Sequence, residues 1–502
     1  MTAMRSGQDY LAGLRDGRRV IVNGEVVESV PDHPAFRGVA ATVASLYDYA
    51  ADPANDMVFT APETGRPALK PFMIPRSPED LRSWREAVAR WARLTHGFLG
   101  RSPDHVGAFM AGFAGKPSVF DRGERQFGSH VTEWHRRMLD ESPFLSYVIV
   151  PPQVSRATTA SGWEGDFVQV GVVDETDEGI VLRGSQMLGT SSAVSDFVLV
   201  SCIKPLTADD ADHAVTAVVP IGAPGVKVYC RRPYALDATS SYDYPLSSRY
   251  DETDALLVFD DVRIPWGDVF VCRDVSAMMP QWFATAAHLL GNLQAQVRFV
   301  AKLQFLAGVA RKICQVNQID QIPSVQEKLG ELAALVGTVD GLVVAAEAAS
   351  TTDGDGVQRP NPRYLYSAIA DQAMTYPRAL HIVRELAGGG MLQLPSSFHE
   401  LLVPEFRQDM DRYVQSPGVS AEERVKLFKL AWDMVGSEFA GRHHQYEMFY
   451  AGAPFVAKGY ALRNFGYDDA AAEVDAFLMT YGLPDSVDAA PPEAQEAVAS
   501  GS

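Results

Sequence analysis

The sequence predicts an α+β protein in which a mainly helical region, a β region and a second helical region follow one another. Apolar residues recur at helical spacing before residue 147 and after residue 275, whereas short β-branched runs fill the part between. Because strands and helices do not alternate, a Rossmann domain is not expected. We therefore predict a helical domain over 1–147, a β-barrel-like domain over 148–275, a helical domain over 276–485 and a disordered tail over 486–502.

The first region opens with a predicted hairpin, "RRVIVNGEVVESV", in which Asn23-Gly24 is the turn. Its clearest helix is "SPEDLRSWREAVARWARLTHGFLG", with Ser77 and Asp80 spaced as a capping box. The next segment, "GRSPDH", predicts a new helix capped by Ser102. Arg101 and His105 then flank a helix start, which is a good place to hold an anion.

The middle region consists of short apolar runs separated by Gly, Pro and Asp clusters, which predict a compact antiparallel β domain. These runs are "DFVQVGVV", "GIVLRG", "FVLVSCI", "AVTAVVPI", "VKVYCRR" and "ALLVFDDVRIP". Helical spacing returns in "LQAQVRFVAKLQFLAGVARKIC" and continues to about residue 480.

The composition indicates which kinds of partner the protein can bind and in which cellular compartment it is expected. The formal net charge of -19 argues against nucleic acid and anionic membranes as partners, since both bind basic surfaces. The four cysteines form no CxxC pair and are read as reduced thiols. The N-terminus lacks the apolar core of a signal peptide, and we see no 18-residue apolar run, so we expect a cytoplasmic protein without membrane contact.

The common chemical motifs are missing from the sequence. There is no GxGxxG after a strand, the residues around Gly115-Lys116 do not fit a phosphate loop, and the adjacent histidines of "GRHHQYE" are not an HExxH motif. We predict no metal site. The chemistry is then expected from an organic cofactor or from side chains alone.

Several segments, taken in order, resemble the 4-hydroxyphenylacetate 3-hydroxylase family, the oxygenase components of two-component flavin-dependent phenol hydroxylases. The resemblance covers nearly the whole chain through "YLAGLRDGRRVIVNGEVV", "HPAFRG", "GRSPDH", "VPPQVSR", "GSQMLGTSSA", "PLSSRYDETDALLVFDDVRIPWGDVFV" and "RVKLFKLAWDMVGSEFAGRHHQYEMFYAG". It implies an acyl-CoA dehydrogenase-like fold with an N-terminal helical domain, a middle antiparallel β domain and a C-terminal helical bundle.

The resemblance also implies a reaction. FADH2 arrives from a separate NAD(P)H flavin reductase, molecular oxygen is the co-substrate, and a flavin C4a-hydroperoxide hydroxylates a phenol ortho to its OH to give a catechol. Family substrates include hydroxyphenylacetate, chlorophenols, tyrosine and carrier-tethered tyrosine derivatives. Flavin sites shared between subunits imply a homodimer or homotetramer.

Candidate site residues carry over from the family one by one. Arg101 matches an arginine beside flavin and phenol. The candidates for holding FAD are Gln153 and Arg156 in "PPQVSR", Thr190 in "MLGTSS", and Ser437, Gly441, Arg442 and His443 in the C-terminal segment, which is expected to come from a neighbouring subunit.

Two positions depart from the family pattern. His105 stands where better-known members have tyrosine, and Tyr147 stands where they have histidine. The exchange can preserve function, because the site needs a base near pH 7 and donors for a phenolate. At the first turn of a helix, His105 is expected to be neutral and able to accept a proton, with Arg101 supplying charge and Tyr147 a hydroxyl.

The exchange leaves other interpretations open. The substrate could be a larger phenol or an amine-bearing aromatic, and the acidic loop "PLTADDADHAV", a candidate lid, favours tyrosine-like or carrier-tethered groups over a free acid. An acyl-CoA dehydrogenase-like or dehydratase-like flavoenzyme is disfavoured, because neither a glutamate base nor cluster ligands can be placed. A catalytically inactive flavin-binding relative is the third alternative.

Overall fold

The computed structural model describes residues 4–155, 157–163 and 167–483. Its helices and strands follow the predicted order, so the α+β class is confirmed. The helices are α1 Gly7–Gly13, α2 Arg37–Ala51, α3 Pro78–Leu94, α4 Pro103–Ala114, α5 Gly128–Glu141, α6 Ser247–Tyr250, α7 Val275–Met278, α8 Pro280–Phe283, α9 Ala287–Val316, α10 Pro323–Ala348, α11 Pro362–Ala387, α12 His399–Leu402, α13 Pro404–Tyr413, α14 Ala421–Val435, α15 Glu438–Met448, α16 Pro454–Arg463 and α17 Tyr467–Leu478.

The strands of the described residues form two larger sheets and two small ribbons. They are β1 Val20–Val22, β2 Glu25–Val26, β3 Val58–Thr60, β4 Pro67–Leu69, β5 Leu145–Val148, β6 Gly171–Glu175, β7 Gly179–Gln186, β8 Phe197–Val200, β9 Val215–Pro220, β10 Val226–Cys230, β11 Ala255–Pro265, β12 Val269–Cys272, β13 Thr351–Thr352 and β14 Gln358–Arg359. The six-stranded sheet has the order β2-β1-β10-β11-β7-β6, and the four-stranded sheet has the order β12-β9-β8-β5.

The sheets are mainly antiparallel, as predicted, but each also takes in strands from the first 147 residues. The Asn23-Gly24 hairpin forms, with positive φ at both residues, and β1 then pairs with β10 in parallel. Likewise β5 pairs with β8 in parallel, which places Tyr147 opposite Leu199. The three-domain division itself stays a prediction, and its tail, 486–502, lies outside the described residues.

The helix predicted before Arg101 is α3, and Ser77 caps it by accepting a hydrogen bond from the Asp80 backbone N–H at 3.1 Å. The Asp80 carboxylate, however, accepts from the Arg76 N–H rather than from Ser77. Only half of the expected capping box therefore forms, because the carboxylate reaches one residue further back.

Helices α4 and α9 lie in close contact at the centre of the molecule. All of α4 is buried, and an added Cβ at Gly112 would lie 2.3 Å from the Ala287 backbone. Similarly, an added Cβ at Gly291 would lie 2.4 Å from the Phe109 ring. These two glycines allow the close approach that brings side chains at the start of α4 against the middle of α9.

Helix α10 is more exposed than its composition suggests. It contains an 18-residue window with a mean hydropathy of 1.7, of which 22% is buried, so by length and composition it could cross a membrane. The expectation from uninterrupted apolar runs missed it, because Glu331, Asp340 and Glu347 leave no 18 consecutive uncharged residues in the helix. One such helix is weak evidence, since core helices of soluble proteins meet the same criteria.

Candidate active site

The site is built around the turn that precedes α4. Ser102 is the N-cap residue and Pro103 the first helical residue, as predicted, but the Ser102 hydroxyl donates to the Asp104 carboxylate instead of capping the backbone. The backbone N–H groups of Gly100 and Arg101 donate to Glu252 Oε2 at 2.9 and 2.8 Å. A buried carboxylate thus fixes the turn that carries Arg101.

Arg101 and His105 are in direct contact. Arg101 Nη1 lies 2.9 Å from His105 Nε2, and His105 Nδ1 lies 3.0 Å from Gln294 Oε1 on α9. A guanidinium can only donate, so Nε2 is the acceptor and Nδ1 carries the proton. Burial lowers the pKa of His105 well below its ordinary value, and the charge of Arg101 lowers it further. The ring is therefore neutral, as expected, and burial is the largest cause.

Aromatic rings surround the guanidinium of Arg101. Its Cζ lies 4.1 Å from the ring centroid of Tyr450, 5.2 Å from that of Tyr147 and 5.4 Å from that of Tyr446. Burial opposes the charge, but these tyrosines and Glu252 raise the pKa of Arg101 above its ordinary value. Arg101 is thus a permanent cation on an aromatic surface.

The predicted catalytic residues come together in space. The rings of His105 and Tyr147 are 5.3 Å apart between centroids, and both side chains adjoin Arg101. A cation, a neutral imidazole and a tyrosine ring, brought together from the start of α4 and from β5, therefore lie side by side. Such a set can bind a phenolic oxygen, stabilise its anion and accept its proton.

Two of the predicted cofactor residues meet at Asp254. Its carboxylate accepts from Thr190 Oγ1 at 2.7 Å and from Arg442 Nη2 at 2.6 Å. Arg442 also donates to Glu252 Oε1 at 2.7 Å, so it joins α15 to the turn before α4. Burial opposes ionisation of Asp254, but Arg442 and Arg231 hold its pKa far below the ordinary value.

The other C-terminal candidates lie on α15 in different surroundings. Ser437 is the N-cap residue, and its Oγ accepts from the Ala440 N–H at 3.1 Å. Gly441 is exposed. His443 lies in the core, where its Nδ1 is 2.9 Å from Lys302 Nζ. Within the single chain, these three do not converge on Arg101.

Gln153 lines a cavity of about 230 Å³ together with Val150, Trp163, Gln169 and Lys204. Arg156 lies outside the described residues. Small-molecule sites usually measure about 300–1,000 Å³, so this cavity can take only part of a dinucleotide. A larger cavity of about 620 Å³, next to Arg66 and Asp140, contains none of the predicted site residues.

The site also offers unsatisfied polar atoms to a ligand. Among the described residues, the hydroxyls of Ser191 and Tyr446 are buried without a hydrogen-bond partner. Ser191 directly follows Thr190, and the ring of Tyr446 lies against both Arg101 and Arg442. Buried hydroxyls are normally paired, so these two fit the polar groups of a bound cofactor.

Several residues of the site were not predicted: Glu252, Asp254, Gln294, Tyr446 and Tyr450. Glu252 and Asp254 stand in "YDETDALL", which looks like a solvated acidic turn. The signal for the tyrosines was their spacing of four residues in "YEMFY", which in a continuous helix would put both on one face, although α15 ends at Met448.

Comparisons with known proteins agree with the resemblance in the sequence. Residues 6–271 match the family model described as 4-hydroxyphenylacetate 3-hydroxylase N terminal, and residues 279–479 match the C-terminal model of the same family. The chain is 34% identical over 470 residues to the 4-hydroxyphenylacetate 3-monooxygenase oxygenase component of Pseudomonas aeruginosa, covering 91% of this chain and 89% of the relative.

A second relative is named for a substrate that is bound to a carrier protein. The chain is 34% identical over 462 residues, covering 89% of this chain and 85% of the relative, to a Streptomyces globisporus monooxygenase. That enzyme is named for a (3S)-3-amino-3-(3-chloro-4-hydroxyphenyl)propanoyl group on a peptidyl-carrier protein.

Solved structures show the same architecture. The oxygenase component of 4-hydroxyphenylacetate 3-monooxygenase, complexed with FAD and 4-hydroxyphenylacetate, has a TM-score of 0.89 at 31% identity and covers 95% of this chain and 98% of its own. An archaeal 4-hydroxybutyryl-CoA dehydratase has a TM-score of 0.87 at 20% identity, with 97% of each chain covered, and shares the fold alone. The chain belongs to the 4-hydroxyphenylacetate 3-hydroxylase family.

Proposed function

We propose that the protein is the oxygenase component of a two-component, FADH2-dependent aromatic monooxygenase that hydroxylates a phenol ortho to its OH. Family membership supports this activity, and so do the relatives, which are named as monooxygenases of phenols. The observation that carries the proposal is the contact of Arg101 with neutral His105 beside Tyr147.

FAD and molecular oxygen are the co-substrates, and a solved relative is complexed with FAD. The residues that would hold the cofactor are Gln153, Arg156, Thr190 and the hydroxyls of Ser191 and Tyr446. Of the C-terminal candidates, Ser437 and the exposed Gly441 stay proposed for the site of a neighbouring subunit. Arg442, which is bound to Glu252 and Asp254, and His443, which lies in the core beside Lys302, are held inside their own chain, so we do not place these two at a neighbour's site. Reduced FAD, when bound, activates oxygen and supplies the oxygen atom that enters the ring.

The chain's own residues prepare the phenol. Hydroxylation needs an electron-rich ring, and a phenolate is richer than a phenol. We infer that the substrate hydroxyl enters between Arg101 and His105 and replaces their mutual hydrogen bond. His105 Nε2 then accepts the phenolic proton, Arg101 stabilises the oxyanion, and Tyr147 donates a second hydrogen bond.

The substrate class is a para-substituted phenol, and we favour a tyrosine-like or carrier-tethered one. The relative from Streptomyces globisporus supports this choice by its name. The acidic loop 205–215 gives less support than its composition suggested. Its Asp210 accepts from the Ser161 N–H and hydroxyl, both at 2.8 Å, so this carboxylate anchors the loop and does not face a substrate.

The proposed activity requires a partner protein that reduces the flavin. A separate NAD(P)H flavin reductase supplies FADH2. We also propose a homodimer or homotetramer in the cytoplasm. Helix α17 supports self-association, because none of its residues is buried within the chain and Phe477 is 65% exposed.

A reconstituted assay tests the proposal. The purified protein is mixed with FAD, NADH and an unrelated flavin reductase, and is offered tyrosine, β-tyrosine, coumarate and hydroxyphenylacetate. Mass spectrometry should find a catechol with one added oxygen. If the protein retains reduced FAD on gel filtration without oxidising any free phenol, the substrate is tethered or is another aromatic. If reduced FAD is not retained, the proposed activity is wrong.

A further inference from the structure

A chain of buried polar side chains lies behind His105 and has no part in the reaction outlined above. His105 Nδ1 is 3.0 Å from Gln294 Oε1, and Gln294 Nε2 is 3.2 Å from Asp104 Oδ1. The Ser102 hydroxyl donates to the same Asp104 oxygen. Gln294 and Asp104 are each 1% exposed, so water does not compete for these hydrogen bonds.

The direction of these hydrogen bonds is fixed by chemistry. Gln294 has one accepting and one donating end. Its donating Nε2 faces the Asp104 carboxylate, which leaves Oε1 as the atom that faces His105. Turning the amide over would place its oxygen against a carboxylate oxygen and its NH2 against the His105 N–H. Asp104 therefore determines which end of Gln294 meets the imidazole.

The hydrogen bond at the other imidazole nitrogen, Nε2, changes during the proposed reaction. In the free enzyme Arg101 donates to Nε2, so Arg101 and Gln294 both favour the proton on Nδ1. When a phenol enters and Arg101 turns to its oxygen, Gln294 alone holds the proton there. If the proton moved to Nε2 at that moment, Nε2 would have no lone pair with which to accept the substrate's proton.

We propose that Gln294, oriented by Asp104, is a positioning residue that keeps His105 in the Nδ1–H tautomer and so keeps Nε2 available as the proton acceptor. This inference rests on the proposed function for its catalytic meaning. The tautomer itself can be measured without flavin or substrate, so failure of the inference and failure of the proposed function are distinguishable.

The test is the ¹⁵N solid-state NMR spectrum of sedimented, ¹⁵N-histidine-labelled protein, with the His105 signals assigned by their loss in His105→Asn. The wild type should show neutral His105 with the proton on Nδ1. Arg101→Met removes the donor to Nε2 and mimics its departure, and the Nδ1–H form should persist. The double variant Arg101→Met/Gln294→Met should acquire a large Nε2–H population.

Gln296 supplies the matched control. It is also a buried glutamine of α9, but its amide donates to Gln372 at 2.6 Å instead of contacting His105. Arg101→Met/Gln296→Met should keep the Nδ1–H form. The proposal is overturned if Arg101→Met alone loses that form, if the Gln294 double variant keeps it unmixed, or if the Gln296 double variant loses it equally.

Activity gives a second, independent readout. In the reconstituted enzyme, Gln294→Met should lower kcat about tenfold with little change in KM, because a tautomer that cannot accept the proton affects the reaction more than binding. Gln294→Glu should recover part of the loss, since a protonated carboxyl can donate to Asp104 and still accept from Nδ1–H. Equal losses in Gln294→Met, Gln294→Glu and Gln296→Met would indicate a packing role and contradict the proposal.

Discussion

The guanidinium of Arg101 occupies the one nitrogen of His105 that can accept a proton, at 2.9 Å. The two residues are four apart and lie across the first turn of α4, and Arg101 itself is held by Glu252. The free site therefore holds its cation and its base together, and a phenolic hydroxyl has to separate them.

Removing the charge of Arg101 should weaken catalysis strongly. Arg101→Met keeps much of the side-chain length but cannot stabilise a phenolate, so kcat/KM should fall about 10²–10³-fold, as for loss of one oxyanion donor. Steady-state kinetics with the best phenol measures this. Arg125→Met is the control, because Arg125 is a surface residue paired with Glu175, and it should stay near wild type.

Restoring the residues that better-known family members have, tyrosine at position 105 and histidine at position 147, should show whether the two side chains depend on each other. The rings of His105 and Tyr147 are 5.3 Å apart in a tight site. His105→Tyr and Tyr147→His each change the local volume and should each lower kcat/KM. The double variant restores the summed volume and the polar groups, and should regain activity with a coupling energy of about 1 kcal/mol or more. Purely additive losses in the double-mutant cycle would show that the two positions are independent.

Glu252 should matter for stability as well as for activity. It is buried, and it joins the Arg101 N–H to Arg442. Glu252→Gln cannot accept from both sides, so the free energy of unfolding should fall by about 3 kcal/mol. Urea unfolding measures the change. The matched control is Glu438→Gln at an exposed ion pair with Arg232, where less than about 1 kcal/mol is expected. Equal changes would contradict this anchoring role.

Asp104 should make stability depend on pH. Burial raises the pKa of Asp104 from 3.8 to about 6, so between these values the folded chain keeps a proton that the unfolded chain has lost. The contribution is present below about pH 4 and is lost as the pH rises through 6, about 3 kcal/mol in all. Asp104→Asn removes it, so unfolding measured at pH 4 and pH 7 should favour the variant more at pH 7. The same difference between the two proteins at both pH values would show that Asp104 does not titrate in this range.

Local signals in the sequence predicted local structure well. The Asn23-Gly24 turn, the helix start at Pro103 and the strand "ALLVFDDVRIP" all form where they were expected. The pairing of β1 with β10 was not predicted, because it joins strands about two hundred residues apart and no periodicity encodes a long-range partner. The same reason hid the role of β5, whose Tyr147 reaches the site from the second sheet.

The site was predicted through the resemblance and only partly through the residues. Arg101, His105 and Tyr147 were predicted as a group, and the structure places them together. Gln294 gave a weak signal as a polar residue in an apolar helix: a buried amide must be paired, but the sequence does not say with which group. Glu252 was not predicted, and its contacts with the Gly100 N–H and with Arg442 reveal its role.

The most direct test of the proposed activity follows the oxygen atom. The protein, with reduced FAD and the best para-substituted phenol, is exposed to ¹⁸O₂ in one turnover and the product is analysed by mass spectrometry. We predict a catechol carrying one ¹⁸O atom, formed by wild type and Arg125→Met and nearly absent with Arg101→Met. Oxygen derived from water, or a catechol formed equally well by Arg101→Met, would contradict the account.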